Sequence, residues 1–85
     1  MYTDAEIMTT WLDLVAGDSV KIIKLNQGPK QYRMKLMALG LIPGTMFQVA
    51  RIAPLGDPIE IRLRGFSLIL RKQEAQLLLI EKITS

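Results

Sequence analysis

The run LGLIPGTMFQVARIAPLGDPIEIRLRGFSLILRK, residues 39–72, decides how this chain folds. Its glycines and prolines (Gly40, Pro43, Gly44, Pro54, Gly56, Pro58, Gly65) punctuate it at intervals that leave room for short strands. Ile59, Ile61 and Leu63 alternate with Glu60, Arg62 and Arg64, the two-residue period of a strand with one buried face. Phe66, Leu68 and Leu70 alternate with Ser67, Ile69 and Arg71. That pattern predicts a further strand after a tight turn at Gly65, with the Phe66 ring inward. Residues 45–53, TMFQVARIA, read as a strand with Phe47 and Val49 inward. Pro43–Gly44 suits the centre of a type II turn, where proline fixes the first φ and glycine accepts the positive second one.

Upstream, KQYRMKLMAL (30–39) is made mostly of good helix formers, with Pro29 at its start and Tyr32, Leu36 and Leu39 on one face. Gly40 then stands where a left-handed residue closes a helix, and Leu41 is placed to pack back on Leu36. The same rigid turn can also display Leu41 and Ile42. SVKIIKL (19–25) is a β-branched run with Val20 and Ile22 inward. Downstream, RKQEAQ (71–76) suits a short helical turn and LLLIEKI (77–83) a last strand. The prediction is a mainly β chain: a small barrel of about five strands, one α-helix between the first two, and a helical turn before the last. One domain is expected, with residues 1–11 as a leader and 12–84 as the barrel. Trp11 is the first residue expected to find a packing partner.

Composition narrows the chemistry. The 85 residues contain no cysteine and no histidine, which removes thiol catalysis, disulfides and the commonest general base and metal ligand. No glycine-rich phosphate loop is present, so the chain is not itself a GTPase or ATPase. Asp57 and Glu60 are the nearest thing to a carboxylate pair, but one lies in a proline-bounded loop and the other on a strand face beside Arg62. The five methionines, including Met34 and Met37 three apart on the helix, suit core or interface packing better than thioether ligation. Carboxylates and carbonyls leave room for only a weak divalent ion. With no signal-peptide pattern and no membrane-length apolar run, a cytoplasmic domain is expected.

The net charge of +3 hides a division. Residues 1–18 hold four acidic groups and no basic one, while the remainder holds all 11 basic groups against four acidic, a body of +7. Arg51, Arg62, Arg64, Arg71 and Lys72 form its most suggestive set. Such a face can be merely solvated, can meet an acidic protein surface, or can meet nucleic acid. Nucleic acid is the least favoured, because both phenylalanines are predicted inward and no aromatic groups interleave the charges.

These same residues carry a resemblance. The pattern R-x-K-L-x-x-L-G-x-x-P-G-x-x-F-x-V-x-R-x-A-P-L-G-D-P-I-x-I from Arg33, followed by S-L-x-L-R-K, resembles the FeoA family, small accessory proteins of bacterial ferrous-iron uptake. The resemblance implies an SH3-like barrel and a non-enzymatic role. It also implies a cytoplasmic partner, the GTP-binding domain of the transporter FeoB, which would hold the protein at the inner face of the membrane. No catalytic or metal-binding residue carries over, no cofactor is required, and a ferrous or zinc ion would be held weakly if at all. The residues nominated for partner contact are Leu41, Ile42, Leu55, Arg51, Arg62, Arg64 and Arg71. A sharper version lets one of the arginines stimulate GTP hydrolysis. The alternatives are a metal-responsive regulatory barrel, since a related domain ends iron- and manganese-dependent repressors, and a nucleic-acid-binding barrel. A homo-oligomer is left open.

Overall fold

The computed structural model of the chain describes residues 10–83. The leader up to Thr9, with Tyr2 and Met8, therefore lies outside the described residues, as does Thr84. A short 3-10 turn at Trp11–Asp13 leads to strand β1 (Ser19–Leu25), helix α1 (Lys30–Ala38), and strands β2 (Met46–Ile52), β3 (Ile59–Leu63) and β4 (Phe66–Leu70). A one-turn helix α2 (Lys72–Ala75) and strand β5 (Leu78–Ile83) complete the fold. The strands form one antiparallel sheet in the order β4-β3-β2-β1-β5. This is the expected mainly β, SH3-like layout, with the helix between the first two strands and the helical turn before the last. Register shifts interrupt β1 between Ile22 and Lys24 and β2 between Val49 and Arg51. Such bulges bend a strand, which curls the sheet around its core. Among the described residues β4 and β5 do not pair with each other, so the barrel stays partly open.

The glycine–proline reading becomes geometry at the end of α1. The Leu41 N–H donates to the Leu36 carbonyl at 2.9 Å and the Gly40 N–H to the Met37 carbonyl at 3.0 Å, with Gly40 at φ 87°. That is a Schellman closure, and the expected contact accompanies it: Leu36 and Leu41 are both fully buried. Pro43 and Gly44 (φ 91°) then turn the chain, closed by Thr45 N–H to the Ile42 carbonyl at 3.0 Å. The Gly44 N–H donates to the Ile22 carbonyl at 2.7 Å, so the turn is pinned to β1 and delivers the chain into β2 in register.

The core is built from alternate positions of the strands. Val20 and Ile22 of β1, Phe47 and Val49 of β2, Ile59, Ile61 and Leu63 of β3, and Leu78 and Ile80 of β5 are all buried, with Leu14, Leu70 and Leu77 joining them. Tyr32 and Leu39 pack against this cluster from the helix. One expectation fails: Phe66 is half exposed. It opens the edge strand beside the turn, with Leu63 across from it on one side and no described strand on the other. Met34 and Met37 are also half exposed, on the flank of α1 away from the core.

Trp11 ties the segment before β1 to the body. Its ring stacks on Phe47 with centroids 5.9 Å apart and planes at 15°, and its Nε1–H donates to the Ala75 carbonyl at 2.9 Å. Trp11→Phe keeps the stack and removes the hydrogen bond, so urea denaturation should show a loss of about 1 kcal/mol.

Candidate docking surface

The loop between β2 and β3 is held by its own backbone. The Gly56 N–H donates to the Ala53 carbonyl at 2.7 Å and the Ala53 N–H to the Pro58 carbonyl at 3.2 Å, with the Asp57–Pro58 peptide cis. The Asp57 Oδ1 accepts the Lys72 N–H at 3.1 Å. Asp57 therefore anchors the start of α2, a role more specific than the turn aspartate read from the sequence. The loop and α2 are thus fixed relative to each other. Between them and the segment around Trp11 lies an apolar groove of about 880 Å³. Leu12 and Leu55 stand on its rim at 92% and 89% exposure, beside Val15, and Arg51 and Lys72 supply its positive charge.

Glu74 holds α2, whose Lys72 and Ala75 line the groove, against α1. It is buried, its Oε2 takes the Lys35 Nζ at 2.6 Å, and its Oε1 accepts the Arg71 N–H at 2.9 Å. Burial pushes its carboxyl pKa upward. The Lys35 and Arg71 hydrogen bonds, with the positive charges of both side chains, outweigh that and hold it below the usual glutamate value. Asp18 is likewise held low, first by the Val15 N–H and then by Lys82. Both carboxylates are structural.

The seven nominated residues separate. Leu55 and Arg51 meet at the groove. Arg51 and Arg62 lie on the outer face of the sheet, Arg51 across from Glu60, and Arg62 between Gln48 of β2 and Ser67 of β4. Arg71 is exposed at the end of β4. Ile42, at 44% exposure, stands on the type II turn and does not line the groove. Leu41 is not on the surface: the Schellman closure turns it wholly into the core, so it cannot be a contact. Arg64 does not continue the outer face of β3. It occupies the first position of the two-residue turn to β4 at φ 52°, followed by Gly65 at φ 88°, the type I′ geometry that suits a tight hairpin.

An arginine with positive φ is an outlier, since side chains other than glycine, asparagine and aspartate adopt that region at a cost. Asparagine fits the same position without it. Arg64→Asn should raise stability by about 0.5–1 kcal/mol in thermal melts.

Sequence reasoning missed Leu12, Val15 and the exposed half of Phe66. Leu12 and Val15 carried the signal of apolar side chains beside a turn, but nothing local says which face of a 3-10 turn stays open. No helix among the described residues is long and apolar enough to cross a membrane. No group of three or more acidic side chains that could hold a metal ion occurs among them.

Comparison with known proteins places this chain in a family. A solution structure of an FeoA-like protein from Clostridium acetobutylicum is 36% identical, matching 92% of this chain and 90% of that one with a TM-score of 0.77. The Porphyromonas gingivalis Fe(2+) transport protein A/Fe(2+) transporter FeoB fusion protein is 29% identical over 73 residues, which is 86% of this chain but 8% of that protein. A structure of ScaR with bound Zn2+ shares the fold alone, at 16% identity and a TM-score of 0.72 over 87% of this chain. The FeoA domain model matches residues 12–82, nearly the whole described body, and the chain belongs to the FeoA family.

Proposed function

We propose that this chain is a non-enzymatic accessory protein of ferrous-iron uptake that docks on the cytosolic GTP-binding domain of a FeoB transporter and modulates it. The observation that carries this reading is the P. gingivalis relative, whose name joins an Fe(2+) transport protein A to an FeoB transporter in one polypeptide. Two activities fused in one chain work at short range, and separate chains with the same task need an interface. The groove beside Leu55, with Arg51 and Lys72 on its rim, supplies an apolar centre and a positive margin. The carboxylates best fixed in the fold, Glu74 and Asp18, are engaged in holding it together, which agrees with a binding role.

Titration of the purified GTP-binding domain, in its GTP-analogue, GDP and nucleotide-free forms, is the test. Association in at least one form is expected, and none in any form sinks the proposal. Arg51→Glu combined with Leu55→Asp should weaken binding about tenfold or more at low salt, because it removes an apolar anchor and reverses a rim charge. GTP turnover read in the same samples shows whether docking also stimulates hydrolysis; a stimulation lost in one of Arg51→Ala, Arg62→Ala, Arg64→Ala or Arg71→Ala would assign that role to the arginine concerned.

A further inference from the structure

The two edges of the sheet are built differently. The outer half of β5 carries Glu81 and Lys82, the kind of charge that keeps an edge from pairing with another strand. β4 (FSLIL) carries none, and its Phe66, Ser67 and Ile69 are exposed. The hairpin geometry says which of its backbone groups are free. A two-residue turn makes Leu63 and Phe66 a hydrogen-bonded pair, and the alternation then assigns Leu68 to Ile61 and Leu70 to Ile59. The N–H and C=O groups of Ser67 and Ile69 therefore point away from β3. Among the described residues β4 pairs with no other strand.

Charge restricts what could pair there. Arg64 stands at one end of β4, and Arg71 and Lys72 at the other, all exposed and none in a salt bridge among the described residues. Between two copies of this chain, the antiparallel register that engages both outward residues of each copy sets Ser67 opposite Ile69 of its twin. That register sets Arg64 against Lys72 of the other copy at both ends, and like charges facing each other across a sheet are unfavourable. The same cations favour an incoming strand with carboxylates at its ends.

We infer that the free edge of β4 accepts an extended segment of another protein by antiparallel strand addition, the segment having an alternating apolar–polar centre and an acidic residue at each end. The Ser67 and Ile69 backbone groups supply the hydrogen bonds. The exposed Phe66 and Ile69 side chains, on opposite faces, supply apolar contact on both sides of the added strand. Arg64, Arg71 and Lys72 set register and partner choice. This stands independently of the transporter reading, since any protein with such a segment would serve.

The test uses the full-length ¹⁵N-labelled chain and a blocked heptapeptide alternating valine and threonine, with glutamate at each end. In the free protein the Ser67 and Ile69 amides should exchange about a hundredfold faster than those of Leu68 and Leu70. Adding the peptide should shift the Ser67 and Ile69 resonances most and slow their exchange at least about tenfold. A lysine-ended version should bind about tenfold more weakly, and Arg64→Glu with Arg71→Glu should reverse that preference. Ile69→Pro removes an outward N–H and no bond to β3, so it should abolish the shifts while Leu68 and Leu70 stay protected. Methylating the peptide nitrogens that face β4 should do the same without altering the protein.

Several outcomes overturn the inference. These are Ser67 and Ile69 amides already protected in the free chain, shifts confined to Leu55 and Trp11, or equal binding of both peptides. Full binding by the N-methylated peptide, or concentration-dependent self-association that protects these two amides, would also overturn it.

Discussion

Leu41→Ala should lower the unfolding free energy by about 3 kcal/mol and the melting temperature by roughly 12–24 °C, while Leu55→Ala leaves both nearly unchanged. The two leucines look alike in the sequence, each just past a helix or strand and each beside glycine or proline. Leu41 is fully buried, and its N–H closes α1 through the Leu36 carbonyl. Truncating it empties a space that rigid neighbours on α1 and the strands cannot fill. Leu55 is 89% exposed and has little to lose in the monomer. In a binding assay the order should invert, because Leu55 faces the groove. Equal stability losses for the two would contradict the assignment of one to the core and the other to the surface.

The second large effect concerns Glu74, whose burial is tolerable only because Lys35 and the Arg71 N–H meet its two oxygens. Glu74→Ala should cost about 2 kcal/mol near neutral pH, the range for hydrogen bonds to a charged group. Its folded-state pKa lies below the ordinary value of 4.5. A group shifted in that direction contributes stability that is fully present above the unfolded value and is lost as pH falls through the folded one. Stability measured by denaturant titration should therefore drop below about pH 4.5 in the parent. The drop should be shallower in Glu74→Gln, leaving the part due to Asp18, which is shifted the same way. A parent and a glutamine variant with identical acid profiles would remove the ion pair from the account.

What the sequence made legible was whatever backbone chemistry enforces locally. Gly40 past a helix, Pro43–Gly44 between strands and the alternation from Ile59 to Leu63 each admit few conformations, and each took the expected one. What stayed hidden depends on residues far apart in the chain. Trp11 meets the Ala75 carbonyl across 64 positions and Lys35 meets Glu74 across 39, and no local rule pairs them. The groove was invisible for the same reason, because its walls come from segments far apart in the chain, 10–16, 51–59 and 72–79, with Asn26 beside them. Phe66 shows a different limit. Alternation assigned it to the right face of β4, but a face at the edge of a sheet need not be covered. Arg64 was misplaced because alternation carries on past the last paired residue, whereas the turn begins there.

The proposed docking of this body on the GTP-binding domain of a ferrous-iron transporter has a residue-by-residue readout. Mapping amide shifts of the ¹⁵N-labelled chain as that domain is added tests it most directly. Saturable shifts should cluster on Trp11, Leu12, Arg51, Leu55 and Lys72, with Leu41 and the other core amides unmoved. Spectra that stay unchanged at saturating domain, whatever nucleotide it carries, would contradict it.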